Sequence, residues 1–203
     1  SVQTVVTWTS LITGYANYGQ GEEALKFFEK MQLQRVTPNA ITIICILKAC
    51  GVVGITSKGR ELHDDIEKRG FLESDSVIGS SLVNMYAKCG LLAEAQDIFN
   101  KLPIQSSVSW TSLISGYVEH GDGKQALVCF EQMRKEGVSL DAMSYVCALK
   151  ACGSLKSLAK GQGIHDEIER LGLLERNQFL CSILIDMYTK CCCLDKAQKV
   201  FDS

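Results

Sequence analysis

Residues 5–15 read VVTWTSLITGY and residues 107–117 read SVSWTSLISGY, and this near-identity decides the fold. A shift of 102 residues carries the first stretch onto the second, and it also carries residues 48–51 (KACG) onto residues 150–153 (KACG) without a gap. A fixed internal period is typical of repeat proteins, in which equivalent units stack side by side. The chain is therefore two tandem copies of one block.

Each block subdivides into three units, and every unit consists of an apolar helix, a turn that contains glycine, and a second helix. In the first unit, Leu11, Ile12 and Tyr15 mark one helix, and residues 19–21 (GQG) predict the turn that follows it. No run alternates between apolar and polar residues for long enough to form a strand. The pattern predicts an all-α fold, a solenoid of helix pairs.

The composition is that of an ordinary soluble globular protein. The chain has 203 residues, with 21 basic and 23 acidic side chains and a formal net charge of -2. These values exclude intrinsic disorder and a highly basic nucleic-acid-binding tail. No apolar stretch reaches the length of a membrane span, so we expect no membrane association. The N-terminal residues resemble neither a secretory signal nor a transit peptide, and we expect any targeting sequence to be absent from this chain.

The ten cysteines contain no Cys-x-x-Cys pair, and the consecutive residues 191–193 (CCC) fit neither a tetrahedral zinc site nor a dithiol redox loop. Cys45, Cys50, Cys147 and Cys152 fall in apolar helical stretches, where free cysteine behaves as a small hydrophobic residue. We therefore expect reduced, structural thiols and no metal or other cofactor. Residues 191–193 are expected to oxidise first.

The six units span residues 5–39, 40–75, 76–106, 107–141, 142–177 and 178–203, the last of which is truncated. Complete units of 35, 36 and 31 residues follow one another in rotation. With the phrases VVTWTSLITGY (5–15), ILKAC (46–50) and MYAKCG (85–90), this rotation closely resembles plant pentatricopeptide repeat (PPR) proteins of the PLS subclass. The tetratricopeptide repeat keeps a constant 34-residue period and a Trp-x-x-Leu-Gly opening, and it does not fit.

The resemblance covers residues 5–203 and implies P, L and S motifs in this order, twice, within a single right-handed superhelical α-solenoid of helix-turn-helix repeats. It also implies organellar, sequence-specific binding of single-stranded RNA, one base per repeat, that specifies sites of C-to-U editing. In this family the fifth and the last residue of a motif read the base, and the second residue packs against it. The implied base-reading positions are Thr9 with Asn39, Ile44 with Asp75, Ser80 with Ser106, Thr111 with Asp141, Val146 with Asn177, and Ser182 without a partner. The implied packing residues are Val6, Ile41, Val77, Val108, Met143 and Phe179.

The chemistry of two pairs agrees with the code of the family. Asn39 carries a donor and an acceptor, which match the amino group and ring nitrogen of adenine, so Thr9 with Asn39 predicts A. An ionised Asp141 only accepts, which suits the ring N–H and amino donors of guanine, so Thr111 with Asp141 predicts G.

The other positions discriminate less. Ile44 and Val146 cannot form a hydrogen bond with a base edge, so the L motifs should discriminate weakly. Ser80 indicates a purine by the habit of the family, but Ser106 departs from the expected Asn or Asp and leaves that base open. The predicted register from 5′ to 3′ is A-N-(purine)-G-N-(purine), with both purine positions unassigned.

Simpler interpretations exist for each of these residues. Hydroxyls near helix starts often cap or bond back to the helix, and Asn or Asp before a helix is an ordinary N-cap; capping and base reading can coexist. Trp8, Trp110, Tyr15 and Tyr117 are more typical of a core than of base-stacking platforms. Lys48, Lys88, Lys150 and Lys190 recur in register and are candidate phosphate contacts, or else solvated surface residues.

Some members of this subclass carry a zinc-dependent cytidine deaminase domain, which requires His-x-Glu and Pro-Cys-x-x-Cys. Residues 165–167 (HDE) match the first half, but neither Pro38 nor Pro103 is followed by cysteine. No P-loop, dinucleotide fingerprint or nucleophile elbow is present either. The sequence therefore predicts a non-enzymatic protein.

The leading hypothesis is a chloroplast or mitochondrial RNA-binding segment. Its editing activity would come from a deaminase-bearing protein or a missing C-terminal domain, with editing factors contacting the L motifs. The rival is a helical scaffold that binds protein partners, and a third reading is RNA processing or stabilisation without editing. Terminal repeats without a polar cap could also promote self-association.

Overall fold

The fold is entirely helical in the part of the chain that the computed structural model describes, residues 4–175 and 177–202, which contain 13 α-helices and no strand. The helices are α1 (Val5–Asn17), α2 (Gly21–Leu33), α3 (Ala40–Val53), α4 (Thr56–Lys68), α5 (Phe71–Ser74), α6 (Ser76–Lys88), α7 (Leu92–Lys101), α8 (Ser107–Glu119), α9 (Gly123–Lys135), α10 (Ala142–Ser154), α11 (Leu158–Arg170), α12 (Gln178–Lys190) and α13 (Leu194–Asp202). The all-α prediction is confirmed. Among these helices none combines the length and the apolar character that a bilayer crossing requires. Residues 1–3, on which the argument about a leader sequence rests, lie outside the described residues.

Six of the helices begin where the predicted motifs begin. The first helices of the helix pairs, α1, α3, α6, α8, α10 and α12, start at residues 5, 40, 76, 107, 142 and 178. The short helix α5, which the sequence pattern did not predict, lies between the second helix of the second motif and α6. The motif boundaries themselves stay a prediction.

The chain divides into two compact units, Ser1–Ser109 and Trp110–Ser203. In the first unit α1 packs against α2 and α3, α3 packs against α4 and α6, and α6 packs against α7. In the second unit α10 packs against α9, α11 and α12, and α12 packs against α13. Each of these first helices thus contacts its own second helix and a neighbouring first helix, which is the contact pattern of a helical repeat.

The core of each unit comes from the apolar faces of these helices. Ile12, Phe28 and Met31 are fully buried at the contact of the first helix pair. Trp8 is 5% exposed, and its ring centroid lies 6.4 Å from that of Phe27. Trp110 in the second unit is equally buried. Both tryptophans are core residues, as their helical spacing indicates, and neither offers a free stacking face.

The backbone repeats even where the sequence does not. Among the described residues, those with positive φ form five pairs 102 residues apart: Gly19 and Gly121, Arg35 and Gly137, Gly54 and Lys156, Gly70 and Gly172, and Gly90 and Cys192. In three pairs a residue with a Cβ atom occupies the conformation that glycine adopts in the other block. For an L-residue this left-handed region costs about 1–2 kcal/mol. The packing of the repeat therefore imposes the turn on residues that do not favour it.

This strain makes a prediction for Cys192, an exposed residue with φ of 59°. Cys192→Gly should raise the free energy of unfolding by about 1 kcal/mol, because glycine adopts this conformation without a steric penalty. Urea unfolding followed by circular dichroism measures the change. Cys192→Ala removes the thiol but keeps Cβ, so it should change stability by less than about 0.5 kcal/mol. Equal effects of the two substitutions would contradict the strain argument.

Candidate nucleic-acid interface

Each first helix exposes an apolar side chain at its second residue. In the first unit Val6, Ile41, Val77 and Val108 are 66%, 56%, 57% and 62% exposed, and in the second unit Met143 and Phe179 are 49% and 52% exposed. A single exposed apolar residue needs no explanation, because folded surfaces contain many of them. Here, however, the second residue is apolar and exposed in all six first helices, and such a recurrence does call for an explanation. These are the residues that the resemblance assigns to base packing, and they are accessible to a ligand.

The last residue of each complete motif caps the helix that follows. The acceptor is Oδ1 of Asn39, Asp75, Asp141 and Asn177, and the donors are the backbone N–H groups of Thr42 (2.9 Å), Val77 (2.9 Å), Ser144 (2.7 Å) and Phe179 (3.1 Å), respectively. Ser106 Oγ accepts in the same way from the Ser109 N–H at 3.2 Å. The simpler interpretation of these residues, N-capping, is therefore correct. It does not exclude a second role, because Asn39 and Asp141 remain exposed.

Hydroxyl groups connect the fifth and the last residue of the first motif. Thr9 Oγ1 lies 2.7 Å from Thr42 Oγ1, and Thr42 Oγ1 donates to Asn39 Oδ1 at 2.9 Å. Thr9 Oγ1 also lies 2.7 Å from the Val5 carbonyl oxygen, which it can reach as a donor. Thr42 is fully buried and Thr9 is 7% exposed. The predicted pair Thr9 and Asn39 is thus brought together through a third residue.

In the third motif the fifth and the last residue are joined directly. Ser80 Oγ lies 3.1 Å from Ser106 Oγ, and Ser106 Oγ lies 3.4 Å from the Oγ of the fully buried Ser109. Ser80 Oγ also donates to the Ser76 carbonyl oxygen at 2.8 Å, as Thr9 can do to Val5. The predicted pair here is in direct contact, because serine at the last position carries the hydroxyl that Asn and Asp lack.

In the second unit Thr111 and Asp141 are joined through Ser144. Thr111 Oγ1 lies 3.2 Å from Ser144 Oγ, and Ser144 Oγ donates to Asp141 Oδ1 at 2.7 Å. Ser144 is fully buried, and with Asp141 it forms a complete capping box at the start of α10. The arrangement therefore occurs independently in both compact units.

The two apolar fifth positions differ from the hydroxyl-bearing ones. Ile44 is half-buried and Val146 is 2% exposed, so neither offers much accessible apolar surface. Ser182 on α12 is exposed. The weak discrimination expected of the L motifs stays a prediction.

Sequence reasoning missed the linking hydroxyls of Thr42, Ser109 and Ser144. A signal was available, since each of them follows the last residue of a motif by three positions, as in a capping box. What the spacing could not reveal is that the hydroxyls of Thr42 and Ser144 also reach back to the preceding first helix, whereas Ser109 bonds with Ser106. That contact depends on the packing of α1 on α3 and its counterparts.

The four lysines differ in their surroundings, although all are exposed. Lys48 Nζ donates to Asn17 Oδ1 at 3.0 Å, a neutral partner that leaves the positive charge uncompensated. Lys190 Nζ forms an ion pair with Asp186 at 2.7 Å. Because the carboxylate offsets the charge, Lys190 is a weaker candidate for a phosphate contact than Lys48, Lys88 or Lys150.

His165, which belongs to the partial deaminase match, packs against the first helix of the following repeat. Its Nδ1 lies 2.8 Å from the Tyr188 hydroxyl, and its Nε2 lies 3.3 Å from Glu169 Oε1. His63 and Tyr86 form the same contact in the first unit, at 3.0 Å. Within residues 4–175 and 177–202 no group of three or more His, Cys, Asp or Glu side chains is placed to hold a metal ion. The recurrence assigns the histidine to the architecture of the repeat.

All ten cysteines lie in the described part of the chain and are free thiols. Burial raises the pKa of Cys50 to about 12 and the pKa values of Cys147 and Cys152 to about 11. Only the thiolate is an effective nucleophile, so these side chains are inert and act as small hydrophobic residues. Cys192 is the exposed member of the set.

Comparison with known sequences identifies the family. The model of the PPR repeat family matches residues 3–51 and 105–154, and that of the PPR repeat matches residues 80–103 and 179–203. Together these matches cover well over half of the chain, which therefore belongs to the pentatricopeptide repeat family.

A chloroplastic pentatricopeptide repeat-containing protein of Arabidopsis thaliana is 41% identical over 100% of this chain and 33% of its own length. A second chloroplastic one is 36% identical over 97% of this chain and 24% of its length. The chain spans a third or less of these curated relatives.

A solved structure has the same fold. The crystal structure of the pentatricopeptide repeat protein PPR10 in complex with an 18-nucleotide psaJ RNA element superimposes with a TM-score of 0.70. The alignment covers 100% of this chain and 28% of PPR10, at 22% sequence identity. A second crystal structure, of PPR10 from maize, gives a TM-score of 0.52 at 18% identity, over 98% of this chain and 38% of that one. The prediction of a helical-repeat solenoid is confirmed.

The capping geometry makes a prediction for Asn39. Asn39→Ala should lower the free energy of unfolding by about 1 kcal/mol, because the N–H of Thr42 loses its acceptor. Asn39→Asp supplies an equivalent acceptor and should stay within about 0.5 kcal/mol of the parent protein. Urea unfolding followed by circular dichroism distinguishes the two. A loss of stability of the same size for both variants would contradict the role of the side-chain oxygen in capping.

Proposed function

We propose that this chain is part of a PLS-type PPR protein, binds single-stranded RNA with one base per repeat, and specifies sites of C-to-U editing in an organelle. The proposed P motifs are residues 5–39 and 107–141, the L motifs are 40–75 and 142–177, and the S motifs are 76–106 and 178–203. The editing reaction itself is assigned to another protein or to another part of the parent protein. The chain is proposed to act without chemistry of its own.

One observation carries the proposal. A motif ends in a hydrogen-bonding side chain, and two residues later the next first helix exposes an apolar side chain; Asn39 with Ile41 and Asp141 with Met143 are examples. A nucleobase has a flat face that packs on apolar groups and an edge that forms hydrogen bonds. The two side chains together offer partners for both parts of a base, and the arrangement recurs once per repeat.

The comparisons support the same reading. One of the PPR10 crystal structures is that of a complex with RNA, and the names of the two relatives described above include the word chloroplastic. We therefore favour the chloroplast over the mitochondrion as the compartment. The rotation of 35, 36 and 31 residues supports the PLS assignment, and the editing role follows from that subclass.

The charge of the chain sets the conditions for binding. A net charge of -2 gives no general attraction to phosphate, so contacts must come from local groups such as Lys48, Lys88 and Lys150. Phosphate contacts release counterions, and affinity should therefore fall as the salt concentration rises. Binding measurements need at least two salt concentrations.

The first test is fluorescence anisotropy with short single-stranded RNAs that contain A-N-N-G, compared with RNAs in which the A and G are replaced by U and C. We expect a preference of about tenfold for A-N-N-G, equivalent to about 1.4 kcal/mol. Val6→Asp should weaken binding, because it places a charge where a base packs. Val128→Asp is the matched control, since Val128 is 58% exposed but lies on a second helix, α9, and should leave affinity unchanged.

Two results would overturn the proposal. Equal binding of the two RNAs would remove the base-reading function, and equal losses for Val6→Asp and Val128→Asp would remove the assigned surface. Absence of RNA binding at low salt, together with capture of an organellar editing factor, would favour the protein scaffold. Leu194 and Phe201 are exposed on α13, so sedimentation should accompany each titration to detect self-association.

A second test exchanges the predicted base. Asp141→Asn keeps the capping oxygen of α10 but adds a donor, so the preference at the fourth base should move from G towards A. The preference at the first base, set by Asn39 in the other unit, should stay the same. RNAs that vary at one position at a time measure both. A change at both positions, or at neither, would show that the register is wrong.

A further inference from the structure

Three buried hydroxyl groups lie beside the proposed base-reading residues but are not themselves among the residues proposed to read a base. Thr42, Ser109 and Ser144 each occupy the third residue of a first helix, and each is fully buried. Each lies within hydrogen-bond distance of the last residue of the preceding motif, and Thr42 and Ser144 also reach its fifth residue. We propose that this residue is a third specificity determinant, which positions the base-reading pair without touching the base. The inference rests on the proposed function.

Asp141 determines where the hydroxyl hydrogens of Ser144 and Thr111 go. An ionised carboxylate only accepts, so the single hydroxyl hydrogen of Ser144 is committed to Asp141 Oδ1, at 2.7 Å. The Ser144 oxygen is then left to accept from Thr111 Oγ1, at 3.2 Å. Thr111 consequently presents lone pairs rather than a hydrogen to anything else nearby. Both members of the pair become acceptors, which suits the two donors on the edge of guanine.

In the first motif the hydroxyl groups make more close contacts than they have hydrogens to donate. Thr9 and Thr42 have two hydroxyl hydrogens between them, but three close contacts join Thr9 to Val5, Thr9 to Thr42, and Thr42 to Asn39. Asn39 Oδ1 only accepts, so Thr42 supplies the hydrogen of that contact, and Thr9 supplies the hydrogen that the Val5 carbonyl oxygen and Thr42 Oγ1 share. The Asn39 oxygen is thus held by both the backbone N–H and the hydroxyl of Thr42, which leaves the amide NH2 group, a donor, to face a base. The Thr42 hydroxyl therefore fixes which end of the Asn39 amide is presented, and a donor suits the ring nitrogen of adenine but not the ring N–H of guanine.

Capping alone does not explain these hydroxyls. Asp75 and Asn177 cap their helices through the backbone N–H groups of Val77 and Phe179, and the third residue of each of those helices is apolar. Those third residues, Ile78 and Leu180, are fully buried like Thr42. A cap therefore forms with or without a hydroxyl at this position.

The residue types of the two positions change together along the chain. A hydroxyl at the fifth position goes with a hydroxyl at the third position of the next first helix, in Thr9 with Thr42, Ser80 with Ser109, and Thr111 with Ser144. An apolar fifth residue goes with an apolar third residue, in Ile44 with Ile78 and Val146 with Leu180. All five fifth positions that precede another first helix follow this rule. The third residue is thus polar only where the fifth residue of the base-reading pair carries a hydroxyl.

The test uses Thr42→Val, which removes the hydroxyl and keeps the shape of the side chain, and Thr42→Ser, which keeps the hydroxyl. RNAs that vary only at the first base measure the ratio of affinities for A and G by fluorescence anisotropy. We expect Thr42→Val to reduce this ratio about fivefold, the size of one hydrogen bond. Thr42→Ser should retain it, since Ser144 performs the equivalent role in the second unit. Neither variant should change discrimination at the fourth base.

Ser144→Ala provides the reciprocal test, because it should reduce discrimination at the fourth base and not at the first. If circular dichroism shows that Thr42→Val does not fold, Ser144→Ala still tests the inference. Absence of discrimination in the parent protein would overturn the proposed function. Discrimination in the parent protein that survives unchanged in both Thr42→Val and Ser144→Ala would overturn this inference alone. A uniform loss of affinity at both bases would also overturn it, because a purely structural residue acts in that way.

Discussion

The hydrogen bond between the last side chain of a motif and the first turn of the next helix is the interaction on which the site depends. The first turn of any helix has N–H groups without partners in the helix, and Asn39, Ser106 and Asp141 accept from one of them. This contact holds a polar side chain at a constant distance from the exposed residue two positions later. Because the same bond closes each motif, the polar and apolar parts of the surface recur with the period of the fold.

A second constraint comes from the packing of first helices on one another. A single helix pair cannot bury its apolar face alone, so α1 packs on α3, α3 on α6, and α10 on α12. This packing brings the fifth residue of one first helix to the third residue of the next. The hydroxyls of Thr9 and Thr42, and those of Thr111 and Ser144, form hydrogen bonds there. Ile44 with Ile78 and Val146 with Leu180 place apolar side chains at the same two positions instead. Motifs whose fifth residue carries a hydroxyl thereby differ from those that have Ile44 or Val146 at that position.

The recurrence of left-handed residues shows how strongly the packing dictates the turns. Lys156 and Cys192 adopt positive φ where the other block has Gly54 and Gly90. Side chains with a Cβ atom avoid this conformation in isolation, and only a structure that determines the turn from both sides maintains it. The repeat therefore tolerates substitution at its turns while keeping the geometry of the surface that the first helices present.

The sequence by itself determined the helical repeat, the positions of the first helices and the residues that cap them, because helix periodicity, glycine turns and capping side chains are local signals. It also placed Trp8 and Trp110 in the core, because their spacing from apolar neighbours is helical. Only the tertiary structure decided that Val6 and its equivalents are exposed, that Val146 is buried, and that Thr42 and Ser144 link the paired residues. The two links join residues 33 positions apart, Thr9 with Thr42 and Thr111 with Ser144. Local patterns cannot specify such contacts, since they arise from the way one helix pair packs on the next.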